Sequence, residues 1–224
     1  MGPTGAARVV QVHPTRRCNL RCTHCYSFSS PEERDTLPVA TLREAISDAS
    51  AEGYNVVAFS GGEPLLYKPL PELLDHVHHC NLLATVTTNG ILLDKRRLDM
   101  LRSRVDLLAI SLDGIPESHN RVRAAPRAFE QMSARLDGLR HAGIPFGFIF
   151  TLTQHNLHEM EWVAQFAAEQ GARLLQIHPL EEVVDRLLGL QSATLRGLEV
   201  FPLGIPTPEE VIVRAALEAP IRQG

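Results

Sequence analysis

Cysteine is scarce in this chain and unevenly placed: there are four in 224 residues, three of them between positions 18 and 25, and none after Cys80. A disulfide framework is thereby excluded as the organising device, and a reducing compartment is the better match. Long apolar runs are missing too. No stretch approaches the ~18 residues that a membrane-spanning helix needs, and Met1 to Arg8 hold no apolar signal segment. Ala6 stands where N-myristoylation wants a hydroxyl residue. Charge of one sign is never concentrated: the net charge of −4 is spread without a block of either sign, which removes the usual footprint of a nucleic-acid binder. No GxGxxG fingerprint of a flavin or nicotinamide site is present. The expectation is a soluble, cytoplasmic protein that engages neither membrane nor nucleic acid.

With 44% hydrophobic residues, a chain of this length can bury a sizeable core, and one α/β domain is expected. Six short apolar stretches read as buried strands: Val9 to Val12, Val56 to Ser60, Leu82 to Thr87, Asp106 to Ile110, Phe146 to Phe150 and Leu174 to Ile177. Segments with helical periodicity separate them. The first opens on a capping box, Thr41 to Glu44, and stops at Gly53; the second carries Leu70, Leu73, Leu74, Val77 and Cys80, which reads as a buried thiol of that stripe. A third runs from about Asp94 to Leu101, a fourth carries Phe129, Met132, Leu136 and Leu139 before Gly143, and a fifth is capped by Asn156 and Glu159 and ends at Gly171. Strands that are continuously apolar, alternating with helices, imply repeated βαβ units and a parallel sheet covered on both faces. The expected architecture is a partial (βα)6 barrel of the TIM type over residues 1–180, with a tail over 181–224. In the tail, Glu181 to Leu190 reads as a helix, Leu198 to Leu203 as a short strand, and Thr207-Pro208-Glu209-Glu210 as the opening of a last helix.

Chemistry concentrates where the strands end. Cys18, Cys22 and Cys25 are spaced CxxxCxxC directly after the first strand, so three thiolates on one loop can converge on one metal centre. A zinc site with His13 or His24 as fourth ligand, unligated thiols, and a four-iron cluster with one iron left open are all compatible with that spacing. Gly61-Gly62-Glu63-Pro64 follows the second strand, Thr88-Asn89-Gly90 the third and Ser111-Leu112-Asp113-Gly114 the fourth. In a parallel barrel all four loops face one mouth, which a chance zinc loop would not require. His13 and His178 read as residues with structural roles at strand ends.

Taken together, residues 9 to about 180 resemble the radical S-adenosylmethionine (SAM) enzymes. The resemblance implies a [4Fe-4S] cluster on Cys18, Cys22 and Cys25, whose open iron chelates SAM. It implies that Gly61, Gly62, Glu63 and Pro64 receive the methionyl amine, with Glu63 as counter-charge. Ser111 matches a hydroxyl that meets the ribose or carboxylate, and Arg123 an arginine that pairs with the carboxylate. His24 and the strand-six exit at Ile177 and Leu180 would flank the adenine, and Tyr26, Asn89 and Asp113 complete the expected ligand-facing set. The implied reaction is reduction of SAM to methionine and a 5′-deoxyadenosyl radical, with flavodoxin or ferredoxin as electron donor. The motifs most resemble the branch that modifies peptides and proteins or matures cofactors; a small-molecule precursor is equally a substrate of that class. No cysteine-rich extension follows Cys80, so auxiliary clusters are not expected. Only eight residues precede the first strand, so a peptide would be recognised by the barrel itself or by a partner protein. The other readings of the chain are a non-catalytic zinc or cluster module and a SAM-binding accessory subunit.

Overall fold

The computed structural model describes residues 7–179 and the backbone of Val213–Ala215. One sheet holds the strands in the order β1-β2-β3-β4-β5-β6-β7, so neighbours in sequence are neighbours in space. Strands β1 (Val9–Val12), β2 (Val56–Phe59), β3 (Leu83–Thr88), β4 (Leu107–Ser111), β5 (Phe146–Leu152) and β6 (Leu175–Pro179) pair in parallel, and β7 (Val213–Ala215) runs antiparallel to β6. The six parallel strands curl into a half-barrel with helices around it, as the sequence predicts.

Six helices fill the crossovers: α1 (Val39–Ala51), α2 (Leu70–His79), α3 (Lys95–Leu101), α4 (Pro116–Val122), α5 (Ala128–Ala142) and α6 (Met160–Glu169). The capping box expected at Thr41 is not used. Helix α1 starts three residues earlier, after Pro38, whose extended backbone turns the chain in without a side-chain cap. Asp94 does cap α3, accepting from the Arg97 amide at 2.8 Å, and Gly143 closes α5 in the left-handed conformation at φ 69°. Helix α4 escapes the sequence reading because the residues it buries are polar, Ser118 and His119, and leave no apolar stripe. The tail differs as well. Val213–Ala215 extends the sheet where a last helix was expected: the open edge of β6 offers backbone partners, and the β-branched run Val211-Ile212-Val213 suits a strand, with Leu175 opposite Ala215 and Ile177 opposite Val213. Leu180, the helix expected over 181–190, the strand over 198–203 and the Thr207 to Glu210 opening lie outside the described residues.

The core is continuous from Val57 and Phe59 through Ala84, Val86, Leu108 and Ile110 to Phe148 and Phe150, all fully buried. Leu70, Leu73, Leu74 and Val77 of α2 cover one end of it, while Cys80, at the C-cap of that helix, is only half-buried. Each such side chain stabilises the fold by about 1.5–3 kcal/mol relative to exposure. The result for function is geometric: every strand-to-helix loop of the parallel sheet leaves from the same rim.

Leu73 is fully buried at the centre of α2. Leu73→Ala should lower unfolding stability by about 2–5 kcal/mol, seen as an earlier urea midpoint with an unchanged slope.

Candidate active site

The loop that carries the cysteines leaves β1 at Val12 and is laid directly on the loop that leaves β2. Three amides of the second loop reach three carbonyls of the first: Ser60 to Val12, Gly62 to Thr15 and Glu63 to Arg17, each at 2.9 Å. The glycine pair makes this contact feasible. A Cβ on Gly62 would lie 2.3 Å from the Arg17 carbonyl oxygen, and Gly61 sits at φ +103° with no room beside Thr15. The close approach expected there was to a ligand; the neighbour found is the chain's own cysteine loop. Further braces come from the other rims. Asn89 after β3 donates to the Asn19 side chain at 2.8 Å, and the Thr23 amide donates to the Val122 carbonyl of α4 at 2.9 Å.

Cys18, Cys22 and Cys25 are all free thiols and half-buried. Burial pushes the Cys18 thiol up to about 11, and the charges of Glu63, Cys22 and Cys25 push the same way. Cys22 is likewise raised by burial, against the pull of Arg123. At Cys25 burial is outweighed by bonds from Ser27 and Ser29, which hold the thiol below its ordinary value. The three sulfurs thus sit in different surroundings, with Cys25 the one most readily ionised. Two of them already have N–H donors: the Ser29 amide lies 3.3 Å from Cys25 Sγ and Arg123 Nη1 3.6 Å from Cys22 Sγ. Among the described residues no three His, Cys, Asp or Glu side chains close on a single-ion site. Three thiols on one loop, with hydrogen bonds aimed at their sulfurs, form a donor set suited to a four-iron cluster.

His24 lies between two of these cysteines, and burial keeps its ring below the ordinary histidine value. Its Nδ1 is buried with no hydrogen-bond partner among the described residues. It borders a cavity of about 550 Å³ that is also lined by Thr23, Arg121, Thr151 and Asn156. An orphaned buried nitrogen beside a cavity of ligand size is a feature that a bound molecule would satisfy. Tyr26 is 62% exposed, and its hydroxyl meets Ser60 at 3.0 Å, Gln11 at 3.1 Å and His13 at 3.2 Å. His13 is thus engaged at the strand end, as expected of it, and His178 lies on β6 opposite Thr151.

Several residues expected to face a ligand turn inward instead. Glu63 is 0% exposed, and its carboxylate accepts from Thr88 Oγ1 at 2.9 Å, the Asn89 amide at 3.0 Å and the Leu65 amide at 3.1 Å. These bonds tie the β2 loop to the β3 loop, and burial pushes the Glu63 pKa up. Asp113 is also 0% exposed. Its oxygens accept from Arg123 Nε at 2.5 Å and the Thr151 amide at 3.3 Å. Arg123 is 9% exposed and committed on two sides, to Asp113 and to Cys22, so its guanidinium is not free to clamp a carboxylate as a fork. Asn89 is buried between Glu63, Asn19 and Ile91, Pro64 is buried at the start of a short 3₁₀ turn, and Ile177 is buried in β6. Ser111 is buried at the end of β4.

A network at the β4 and β5 rims was not anticipated. Asn156 and Glu159, read from the sequence as helix caps, instead reach across to the β4 loop. Asn156 donates to the Asp113 carbonyl at 3.2 Å, and Glu159 accepts from the Ile115 amide at 2.9 Å and from Ser118 Oγ at 2.5 Å. Gly114, at φ +123°, leaves room for that carboxylate: a Cβ there would lie 1.9 Å from Glu159 Oε2. His119 Nδ1 accepts from the Asp113 amide at 3.2 Å, and burial, with the Arg123 charge beside it, lowers its pKa to about 4.

The model of the radical SAM superfamily matches residues 12–167 of this chain. Over 164 residues the chain is 32% identical to the Fe-coproporphyrin III synthase of Methanosarcina barkeri, covering 72% of this chain and 41% of that protein. It is 30% identical over 162 residues to the antilisterial bacteriocin subtilosin biosynthesis protein AlbA of Bacillus subtilis, covering 71% of this chain and 36% of that protein. The chain thus spans less than half the length of these curated relatives. Streptococcus suis SuiB bound to its precursor peptide SuiA superposes with a TM-score of 0.67 at 18% identity, over 80% of this chain and 41% of SuiB, a likeness of fold.

Gly62→Ala should unseat the cysteine loop, costing about 1–3 kcal/mol. Iron and sulfide per chain after anaerobic reconstitution should drop, while Gly138→Ala, which meets only the Leu98 side chain at 3.2 Å, should load normally. His119 predicts a pH dependence. Its folded pKa of about 4 lies below the 6.5 of a free histidine, so the unfolded chain takes up the proton first and stability falls as pH drops from about 6.5 to about 4. Chemical denaturation across that window should show a shallower pH slope for His119→Gln than for the native protein.

Proposed function

Because the chain belongs to the radical SAM superfamily, we propose that Cys18, Cys22 and Cys25 hold a [4Fe-4S] cluster and that the protein cleaves SAM reductively to modify a peptide, a protein or a cofactor precursor. The observation that carries this reading is a loop of three free thiols, seated at the rim of a half-barrel with hydrogen-bond donors at two sulfurs and no disulfide among them. When bound, the cluster supplies the single electron that splits the sulfonium of SAM into methionine and a 5′-deoxyadenosyl radical.

The chain's own residues bind, orient and shield. His24 Nδ1 offers its unmet hydrogen-bonding capacity to the adenine within the cavity bordered by Thr151 and Asn156. The Tyr26 hydroxyl, beside Ser60, and the Ser111 hydroxyl at the end of β4 face the polar parts of SAM. The Gly61-Gly62 seat fixes the thiols and offers its backbone to the methionyl amine of SAM. Electrons come from an external flavodoxin or ferredoxin, since the chain carries no fingerprint of a flavin or nicotinamide site. The relatives frame the substrate class: a synthase named for an iron porphyrin and a bacteriocin biosynthesis protein point to cofactor precursors and peptides.

Reduced protein incubated anaerobically with SAM should release 5′-deoxyadenosine, and Cys22→Ala should bring that product down to background while remaining folded. Stoichiometric zinc without sulfide would favour the structural-module reading, and a loaded cluster that binds SAM without product would favour an accessory subunit. Unchanged product in Cys22→Ala would overturn the ligand assignment.

A further inference from the structure

Arg123 joins a buried carboxylate on one side to a cysteine sulfur on the other. It follows the last residue of α4, yet its side chain turns into the protein and lies almost wholly buried against the cysteine loop. Its Nε donates to Asp113 Oδ2 at 2.5 Å, and its Nη1 lies 3.6 Å from Cys22 Sγ. Asp113 is held in turn by the Thr151 amide at 3.3 Å, and its own amide donates to His119 at 3.2 Å. The backbone is held as well: the Arg123 amide bonds the His119 carbonyl at 2.9 Å, and the preceding Val122 carbonyl accepts from both the amide and the hydroxyl of Thr23, next to Cys22. The guanidinium therefore cannot drift from the sulfur without breaking bonds on both sides.

We propose that Arg123 is a positioning residue that aims a fixed positive charge at the Cys22 sulfur and so raises the reduction potential of the centre this cysteine holds, with Asp113 as the counter-ion that keeps it there. This rests on the cluster assignment above. A thiolate ligand carries more negative charge when its centre is reduced, so a cationic N–H donor at that sulfur stabilises the reduced state more than the oxidised one. Asp113 offsets part of the charge, but it binds the Nε edge of the guanidinium, while Nη1 is the atom turned to the sulfur. An arginine suits this task better than a lysine, because one rigid fork can hold the carboxylate and the sulfur together.

The test is a redox titration of anaerobically reconstituted protein, followed by electron paramagnetic resonance without SAM, so that turnover plays no part. Two variants are compared with the native protein: Arg123→Lys, and the double variant Arg123→Met with Asp113→Asn, which removes both charges together and leaves none buried alone. The double variant should keep its iron and sulfide and show a lower midpoint; a tenfold fall in the equilibrium constant for reduction corresponds to 59 mV. Arg123→Lys should fall between the two. A midpoint equal to the native one in the double variant with full iron content would overturn the proposal. Should that variant fail to fold, Arg123→Gln with Asp113→Asn, neutral and hydrogen-bonding at both positions, decides by the same criterion. Failure of the native protein to bind iron and sulfide would instead overturn the cluster reading, a result distinguishable from an unshifted midpoint.

Discussion

The backbone contact between the cysteine loop and the Gly61-Gly62-Glu63 segment is the constraint on which the site depends. It continues the parallel pairing of β1 and β2 beyond the ends of both strands, through Ser60, Gly62 and Glu63 amides bound to Val12, Thr15 and Arg17 carbonyls. A loop with no regular secondary structure is thereby given a ladder to lie on. The absence of two Cβ atoms makes that possible, since either would collide with the first loop. The thiols take their positions from this seat together with the bonds that Ser29 and Arg123 direct at two of the sulfurs.

Around it, the rim is unusually rich in buried polar groups for a sheet whose interior is phenylalanine, leucine and valine. Glu63, Asp113, Arg123, His119, Asn156 and Glu159 are all buried. Each would destabilise the fold if left unbonded, by about 1–3 kcal/mol or more for the charged ones. None is left so. Glu63 joins the β2 and β3 loops, Asp113 and Asn156 join the β4 and β5 loops, and Glu159 reaches back from the start of α6. The chemical loops are thus fastened to one another at the rim, and their relative geometry does not rely on helix packing alone.

The strand order and the convergence of four loops on one mouth were legible because apolar runs alternating with helical stripes encode a parallel sheet directly. The thiols were legible because spacing within one loop survives folding. What escaped shares one cause: partners far apart in sequence. The Gly61-Gly62 pair announced a close approach but not what would approach. Glu63, Asp113 and Arg123 announced polar chemistry, yet whether a carboxylate faces a ligand or a neighbouring loop depends on contacts 10 to 38 residues away. Asn156 and Glu159 sat at sound helix-cap positions and were drawn into the neighbouring loop instead. Helix α4 gave no apolar rhythm because Ser118 and His119 are what it buries. Val213–Ala215 became a strand on the free edge of β6, a pairing that the β-branched Val211-Ile212-Val213 run favours and the helix-opening signal at Thr207 to Glu210 masked.

The bonds from α4 to the cysteine loop also carry a temporal consequence. Thr23 and Val122 are 99 residues apart, and Cys22 and Arg123 are 101 apart. A nascent chain emerging at about 5–20 residues per second presents its thiols some 5–20 seconds before their far brace has been synthesised. The last support of the cysteine loop therefore forms only once the fourth strand-helix unit has been made.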